Sequence, residues 1–165
     1  MEAAYRRLLE VPGWTRISES GPELLPESTP ARWRAAVHND LFLGVDHTAI
    51  GISDTARSLA FYGRLGLRVS AQSLNVGSEQ QLLDALVRPE ASVTALSLRD
   101  GGPHPELLCY LNVTRAPATV LRNNDIAASR TVFEMTAERA ASAGFETCLR
   151  DPDGHHVQII SNEAR

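Results

Sequence analysis

Lysine is absent from this chain of 165 residues, and all sixteen of its basic residues are arginine. Schiff-base chemistry and general-base catalysis by a lysine amine are therefore excluded. Aromatic residues make up only 5% of the sequence, which disfavours a pocket that holds a cationic drug between aromatic rings. No apolar run approaches the roughly 20 residues that span a membrane, and no basic segment followed by an apolar one opens the chain. The sequence predicts neither a membrane span nor a secretion signal.

Cysteine is almost as scarce, and the two residues present, Cys109 and Cys148, have no metal-binding spacing. We interpret them as buried, reduced thiols of a cytoplasmic protein. The formal charge of −4 and the pI near 5.7 argue against nucleic acid or an anionic membrane as the partner. The length is sufficient for one domain with its own core. The composition therefore indicates a single domain whose main partner is neither nucleic acid nor membrane.

Residues 1–40 differ in pattern from the rest of the chain. A short amphipathic helix is predicted near 3–10 and a strand near 14–18, and prolines then interrupt the pattern until about residue 33. We predict that 1–40 form an N-terminal arm, and that the domain proper extends over 41–165.

The domain opens with the order strand, helix, strand, strand, strand. The first strand alternates, with His47 on one face and Ile50 and Ile52 on the other. Ser53 or Asp54 is expected to cap the helix that follows. The predicted elements of this first module are a strand at 45–52, a helix ending at 64, and strands at 67–70, 92–98 and 106–111.

A short helix is also predicted between the second and third strands of this module. Ser78-Glu79-Gln80-Gln81 has the spacing of a capping box. The prediction places the apolar side chains that follow on the inside of the helix, at Leu82, Leu83 and Leu86.

The second half of the chain repeats the opening of this plan. A strand is predicted at 129–135, a helix at 136–143, and strands at 146–150 and 155–161, with the turn Asp151-Pro152-Asp153-Gly154 before the last strand. There is no room for one further strand. The prediction is an α+β fold of two strand–helix–strand–strand–strand modules, at about 42–115 and 125–162, with the second one shortened. Strands 45–52 and 155–161 are expected in one cupped, mixed sheet.

Two segments of this plan resemble a known family. They are Val45-Asp46-His47-Thr48-Ala49-Ile50 near the start of the domain and Asp151-Pro152-Asp153-Gly154-His155-His156-Val157-Gln158 near its end. The resemblance is to the vicinal oxygen chelate superfamily, which includes glyoxalase I, methylmalonyl-CoA epimerase, extradiol dioxygenases and bleomycin-resistance proteins. It implies a cupped sheet that binds a small molecule, in many members over a metal ion held by four side chains. It also implies a homodimer.

The resemblance implies candidate site residues at the family's ligand positions. These are His47 on the first strand, Glu106 on the fourth strand, and Gln158 on the last strand, where many members have glutamate. The fourth position, usually a histidine at the start of the second module, has no counterpart, and the matching segment offers only Asp125 or Ser129. A divalent metal, if one binds, would use His47, Glu106 and Gln158; no cofactor is favoured.

Without a metal, His47 and Glu106 form a candidate acid–base pair, in which the carboxylate orients the imidazole. Structural interpretations compete with this one, namely a hydrogen-bonded histidine inside the cup and a solvent-exposed glutamate. The other candidates for contact with a small molecule are Gln80, Tyr110, Arg130 and His156. His104 is predicted to lie exposed in a turn.

Three functions are compatible with these residues. The favoured one is an enzyme that performs acid–base chemistry on a small carbonyl-containing molecule, as an isomerase, epimerase, cyclase or lyase, for example in natural-product metabolism. The first alternative is a binding protein that sequesters a small molecule, as resistance proteins do. The second is a metal-dependent lyase of the glyoxalase type or a dioxygenase.

Overall fold

The computed structural model describes residues 6–7, 9–13, 45–99, 103–114, 122, 129–136, 138 and 148–162. The predicted arm over 1–40 and the predicted helix over 136–143 therefore lie almost entirely outside the described residues. The chain forms two compact units, which are divided near Gly51, Gly66 and Val113. Among the described helices, none is long and apolar enough to cross a membrane.

The first unit contains a four-stranded sheet. Its strands are β1 (His47–Ile52), β2 (Arg68–Asn75), β3 (Ala91–Ser97) and β4 (His104–Tyr110), in the spatial order β1-β4-β3-β2. Strands β1 and β4 begin at the same edge, because the backbone N–H of His104 donates to the carbonyl of Asp46 at 3.1 Å. Strand β3 pairs antiparallel with both β2 and β4. The predicted first module is confirmed.

Strand β4 contributes both to the core and to an open face of this sheet. Successive side chains of a strand point to opposite faces, and here the odd positions from Pro105 to Cys109 are buried while the even positions from His104 to Tyr110 are partly exposed. Strand β1 alternates in the same way toward its end. The open face of the first sheet is therefore the face that carries the polar side chains of β4.

Helix α1 (Thr55–Arg64) follows β1 and belongs to the second unit. Asp54 caps it, because its side chain accepts a hydrogen bond from the backbone N–H of Arg57 at 3.0 Å. Gly66 follows the helix with a φ of 92°, a left-handed conformation that glycine adopts at little cost. Of the two predicted capping residues, Ser53 and Asp54, the structure uses Asp54.

The buried carboxylate of Asp151 forms hydrogen bonds both to α1 and within the turn before the last strand. Tyr62 is fully buried and its hydroxyl donates to Oδ2 of Asp151 at 3.0 Å. The other oxygen of Asp151 accepts from the backbone N–H groups of Asp153 and His155, at 3.0 and 2.8 Å. Burial, and after it the charge of Asp151, raise the pKa of Tyr62 far above its ordinary value. We call these two residues, Tyr62 and Asp151, the clasp.

Helix α2 (Ser78–Asp84) lies between β2 and β3, and its start differs from the prediction. Gly77 occupies the cap position with a φ of 101° and no side chain bonds to the first turn, so the predicted capping box is wrong. Serine at 78 is already helical, because the chain enters the helix through a backbone conformation that favours glycine. Two of the side chains predicted to lie inside are exposed, namely Leu82 at 59% and Leu83 at 62%.

The second unit contains a three-stranded sheet beside α1. Its strands are β5 (Arg130–Thr136), β6 (Cys148–Arg150) and β7 (His156–Asn162), in the order β5-β7-β6. Strand β7 pairs parallel with β5 and antiparallel with β6. This order matches β1, β4 and β3 of the first sheet, and the described residues contain no counterpart of β2. The shortened second module is therefore confirmed.

Two expectations from the sequence are corrected by the second unit. Strands β1 and β7 were expected in one sheet, but they belong to two separate hydrogen-bonded sheets, because every described strand pairing joins strands of the same module. Cys148 was expected to be buried and is exposed, since it lies at the start of a three-residue strand on the open face, whereas Cys109 is buried; both thiols are free.

Candidate functional site

The open face of the first sheet carries the candidate acid–base pair. His47 opens β1 and Glu106 is the third residue of β4, and these strands begin at the same edge of the sheet. The Nε2 atom of His47 lies 3.7 Å from Oε2 of Glu106, with the two side chains 44% and 24% exposed. This separation is too long for a direct hydrogen bond. The pair is thus adjacent, but neither group uses the other as a hydrogen-bond partner.

Asp46 fixes the orientation of the His47 ring. Its Oδ2 atom lies 2.9 Å from Nδ1 of His47, and a carboxylate can only accept, so Nδ1 is the nitrogen that carries hydrogen. In the neutral imidazole the lone pair is then on Nε2, the atom that faces Glu106. The local sequence Asp46-His47 therefore provides an imidazole with its basic nitrogen directed toward the open face.

His104 is a third member of this cluster, which the sequence analysis missed. It is the first residue of β4 rather than part of a turn, and its Nε2 atom lies 3.7 Å from Oε1 of Glu106. The His104 and His47 rings are 5.6 Å apart. Each oxygen of Glu106 consequently faces a different imidazole. The spacing His104-Pro105-Glu106 contained the signal, since residues two apart on a strand share a face.

Gln80 and Tyr110 are joined through a third residue, Asp84. The buried side-chain amide of Gln80 donates to Oδ2 of Asp84 at 2.6 Å. The hydroxyl of Tyr110, on the same strand as Glu106, also bonds to Asp84. Burial, followed by this hydrogen bond and the charge of Asp84, raises the pKa of Tyr110. Both predicted contact residues are therefore held by Asp84 in the first unit.

The remaining predicted residues lie together on the open face of the second sheet. Arg130 opens β5, and His156 and Gln158 are the first and third residues of β7. The guanidinium of Arg130 donates from Nη1 to the amide oxygen of Gln158 at 3.2 Å. The Nε2 atom of His156 is buried and has no hydrogen-bond partner. These three residues line one small pocket together with Cys148 and Val157.

Comparison with known proteins agrees with this architecture. Residues 44–159 match the Glyoxalase/Bleomycin resistance protein/Dioxygenase superfamily. The chain belongs to this superfamily. No curated protein matches the chain.

Solved structures of superfamily members are similar in fold. A glyoxalase family protein from Bacillus cereus superimposes with a TM-score of 0.62 at 16% identity, over 77% of this chain and 99% of its own. Glyoxalase I from Leishmania major gives 0.45 at 18% identity, over 70% and 84%. The fosfomycin resistance protein FosX from Listeria monocytogenes, a mutant in complex with Mn(II), gives 0.43 at 13% identity, over 72% and 91%. The likeness to the Bacillus cereus protein, at 16% identity, supports the fold alone, and the two structures with TM-scores below 0.5 carry no further argument.

Among the described residues, ligand atoms suited to a divalent cation lie together in the first module and not in the second. Asp46, His47 and His104 place their ligand atoms within 4.8 Å of one another, and Glu106 lies between the two imidazoles. In the second module β5 begins with Arg130, whose guanidinium has no lone pair to offer a metal. The amide oxygen of Gln158, the atom that a metal would need, accepts a hydrogen bond from that guanidinium. The donor set available is therefore confined to one module.

Proposed function

We propose that the protein is an enzyme that transfers a proton on a small carbonyl-containing molecule, as an isomerase, epimerase, cyclase or lyase. The observation that carries this proposal is the arrangement of the two ring nitrogens of His47. Its Nδ1 is bonded to Asp46 at 2.9 Å, and its Nε2 faces Glu106 at 3.7 Å without being hydrogen-bonded to it. An imidazole is suited to general acid–base catalysis when its basic nitrogen is held in one orientation and is not hydrogen-bonded to the neighbouring carboxylate.

The first step is assigned to Nε2 of His47. This atom takes a proton from the carbon next to the substrate carbonyl, while Asp46 keeps the hydrogen on Nδ1. The resulting imidazolium has carboxylates on both sides, Asp46 at Nδ1 and Glu106 at Nε2. Return of the proton from Nε2 to another atom of the substrate completes an isomerisation.

A metal-dependent variant of this reaction is the second candidate. It is favoured by the two imidazoles and one carboxylate of His47, His104 and Glu106, a donor set that suits divalent transition metals. A bound divalent cation would supply a Lewis acid that polarises the carbonyl oxygen. In this variant Asp46 keeps its place behind His47, as a carboxylate that orients a ligating imidazole. Gln158, which the family resemblance would include, is left out of the proposed ligand set.

A variant of His104 distinguishes the metal-free reaction from the metal-dependent one, because only the metal-dependent reaction requires this side chain. We expect the variant His104→Ala to retain turnover within about threefold, and chelator treatment to change turnover little, because in the metal-free reaction His104 is not the group that transfers the proton. The control is His155→Ala, an exposed histidine in the turn before β7. Abolition of turnover by the chelator, restored by one metal in the parent and not in His104→Ala, would establish the metal-dependent reaction instead.

A cytoplasmic homodimer is the proposed state of the protein. Free Cys109 and Cys148 are compatible with a reducing compartment. Self-association is supported by strand β2, which is exposed along its whole length, and by large apolar side chains exposed in and near β2 and α2, namely Val69, Leu74, Val76, Leu82, Leu83 and Val87. Light scattering is expected to give about twice the mass of 18.0 kDa, and a monomer at all concentrations would refute the dimer.

A further inference from the structure

The open face of the second sheet carries a row of three basic side chains, one on each strand. Arg130 on β5 is in register with His156 on β7, and His156 is in register with Arg150 on β6. Residues paired in this way project from the same face of a sheet. An imidazole therefore stands between two guanidiniums. We call Arg130, His156 and Arg150 the basic row.

The middle member of the basic row has an unsatisfied atom. The Nε2 atom of His156 is buried and makes no hydrogen bond with the described residues. Buried polar atoms in folded proteins almost always have partners. When the imidazole is protonated, both of its nitrogens are donors, and the two flanking guanidiniums, which are also donors only, cannot accept a hydrogen bond from Nε2. In that state the position lacks a group that accepts hydrogen bonds.

A small pocket lies beside two members of the basic row, which is an observation independent of the charges. Arg130 and His156 line it with Cys148, Val157 and Gln158, and Arg150 is not among its lining residues. The arginines already make some hydrogen bonds, Arg130 to Gln158 at 3.2 Å and Arg150 to the carbonyl of Gly154 at 3.4 Å. Because a guanidinium carries five N–H donors, these bonds are compatible with a ligand, and they hold each guanidinium in position.

We propose that the basic row binds the oxyanion of a small molecule, either a carboxylate or a phosphate. Two guanidiniums and an N–H from His156 can each donate to such a group, and charge-assisted hydrogen bonds of this kind are among the strongest in proteins. The one carboxylate on the same face of β5, Glu134, lies four residues from Arg130, about 13 Å along the strand. The proposal concerns an anion site within the second unit alone and does not depend on the proposed function.

The test is direct titration of the full chain with two probes, inorganic phosphate in one arm and acetate in the other. Binding is followed by calorimetry and by the imidazole NMR signals of His156, assigned with the variant His156→Gln. We expect saturable binding of one probe with a shift of the His156 signals. Arg130→Gln and Arg150→Gln should each weaken binding by about tenfold or more, as expected for the loss of a charge-assisted hydrogen bond. Circular dichroism confirms that each variant is folded.

The matched control is Arg68→Gln, which removes the same charge from an exposed strand of the other module. We expect it to bind phosphate or acetate within about twofold of the parent, because a single distant surface charge is screened by salt. If Arg68→Gln weakened anion binding as much as Arg130→Gln, the effect would be one of net charge and the proposal would be wrong. It would also be wrong if the NMR signals of His156 did not shift on addition of either anion. His47→Ala distinguishes this proposal from the proposed reaction: anion binding that survives in this variant, whatever its turnover, supports the basic row independently.

Discussion

The last strands of the two modules carry the same pattern with different charges. Strand β4 begins with His104 and has Glu106 in third place, and strand β7 begins with His156 and has Gln158 in third place. The neighbouring strands differ in the same direction, because β1 opens with His47 and β5 opens with Arg130. In the first module the Nε2 atom of His47 lies 3.7 Å from Oε2 of Glu106. In the second module the Nη1 atom of Arg130 lies 3.2 Å from the amide oxygen of Gln158.

This difference shows how one backbone plan supports two kinds of chemistry. Imidazole and carboxylate in the first module can accept a proton or a cation. Guanidinium and amide in the second module cannot gain or lose a proton near neutral pH, and they donate hydrogen bonds to anions. Relative to the first module, Arg130 stands in place of a histidine and Gln158 in place of a glutamate. The first module therefore carries groups suited to proton transfer, and the second carries groups suited to binding an anion.

The largest effect is expected from removing the reactive side chains of the first module. His47→Ala and Glu106→Gln should each lower turnover by about a hundredfold or more, in line with the contribution of general acid–base groups. Steady-state kinetics on the substrate provide the measurement. The corresponding change in the second module, Gln158→Ala, should lower turnover far less, because an amide cannot gain or lose a proton near neutral pH. Equal losses of turnover from the two modules would contradict the assignment of proton transfer to the first.

A smaller effect is expected from giving the second module the acidic character of the first. Gln158→Glu places a carboxylate beside Arg130, where it competes with an external anion for the guanidinium. Phosphate or acetate binding should weaken by about tenfold, measured by calorimetry. The control is Glu134→Gln, which removes a carboxylate from the same face and should not weaken binding. Unchanged affinity in Gln158→Glu would argue against Arg130 as an anion ligand.

The smallest effect is expected on stability, from a change in the clasp of Tyr62 and Asp151. The described part of the first module has no equivalent of this hydrogen bond. Tyr62→Phe removes one donor from the buried Asp151 and should lower the free energy of unfolding by about 1–3 kcal/mol, measured by urea denaturation. The pKa of Tyr62 is raised in the folded protein above its ordinary value of 10.0. Its contribution is thus complete below pH 10 and is lost as the pH rises beyond it. Above pH 10 the parent should lose stability more steeply than Tyr62→Phe; parallel profiles would contradict the assignment.

Much of the first module could be predicted because local patterns and the fold agree there. The alternation around His47 and the cap at Asp54 depend on nearest neighbours along the chain, and so does the turn at Asp151-Pro152-Asp153-Gly154 in the second module. The proximity of His47 and Glu106 needed the family resemblance in addition, since nothing local brings β1 beside β4. The capping box failed because Gly77, with its positive φ, determines where α2 starts.

His104 and the basic row could not be predicted for different reasons. The fourth strand was predicted to start at Glu106, with His104 in the turn before it, yet Pro105 is accommodated as the second residue of β4, near the strand start where proline is tolerated. The basic row depends on the register of three strands, in which Arg130 and Arg150 pair with the same residue, His156. Register follows from the assembled sheet, so single arginines on predicted strands gave no indication of it.

The central claim, proton transfer by His47 on a small carbonyl compound, is tested most directly by hydrogen exchange at carbon. The chelator-treated protein is incubated in D₂O with a panel of 2-oxo and 3-oxo carboxylic acids, and loss of the proton signal next to the carbonyl is followed by NMR. We predict enzyme-catalysed exchange of at least one compound, slowed by about a hundredfold or more in His47→Ala. Tight binding of a panel member without exchange above the uncatalysed rate would contradict the claim and identify a sequestering protein.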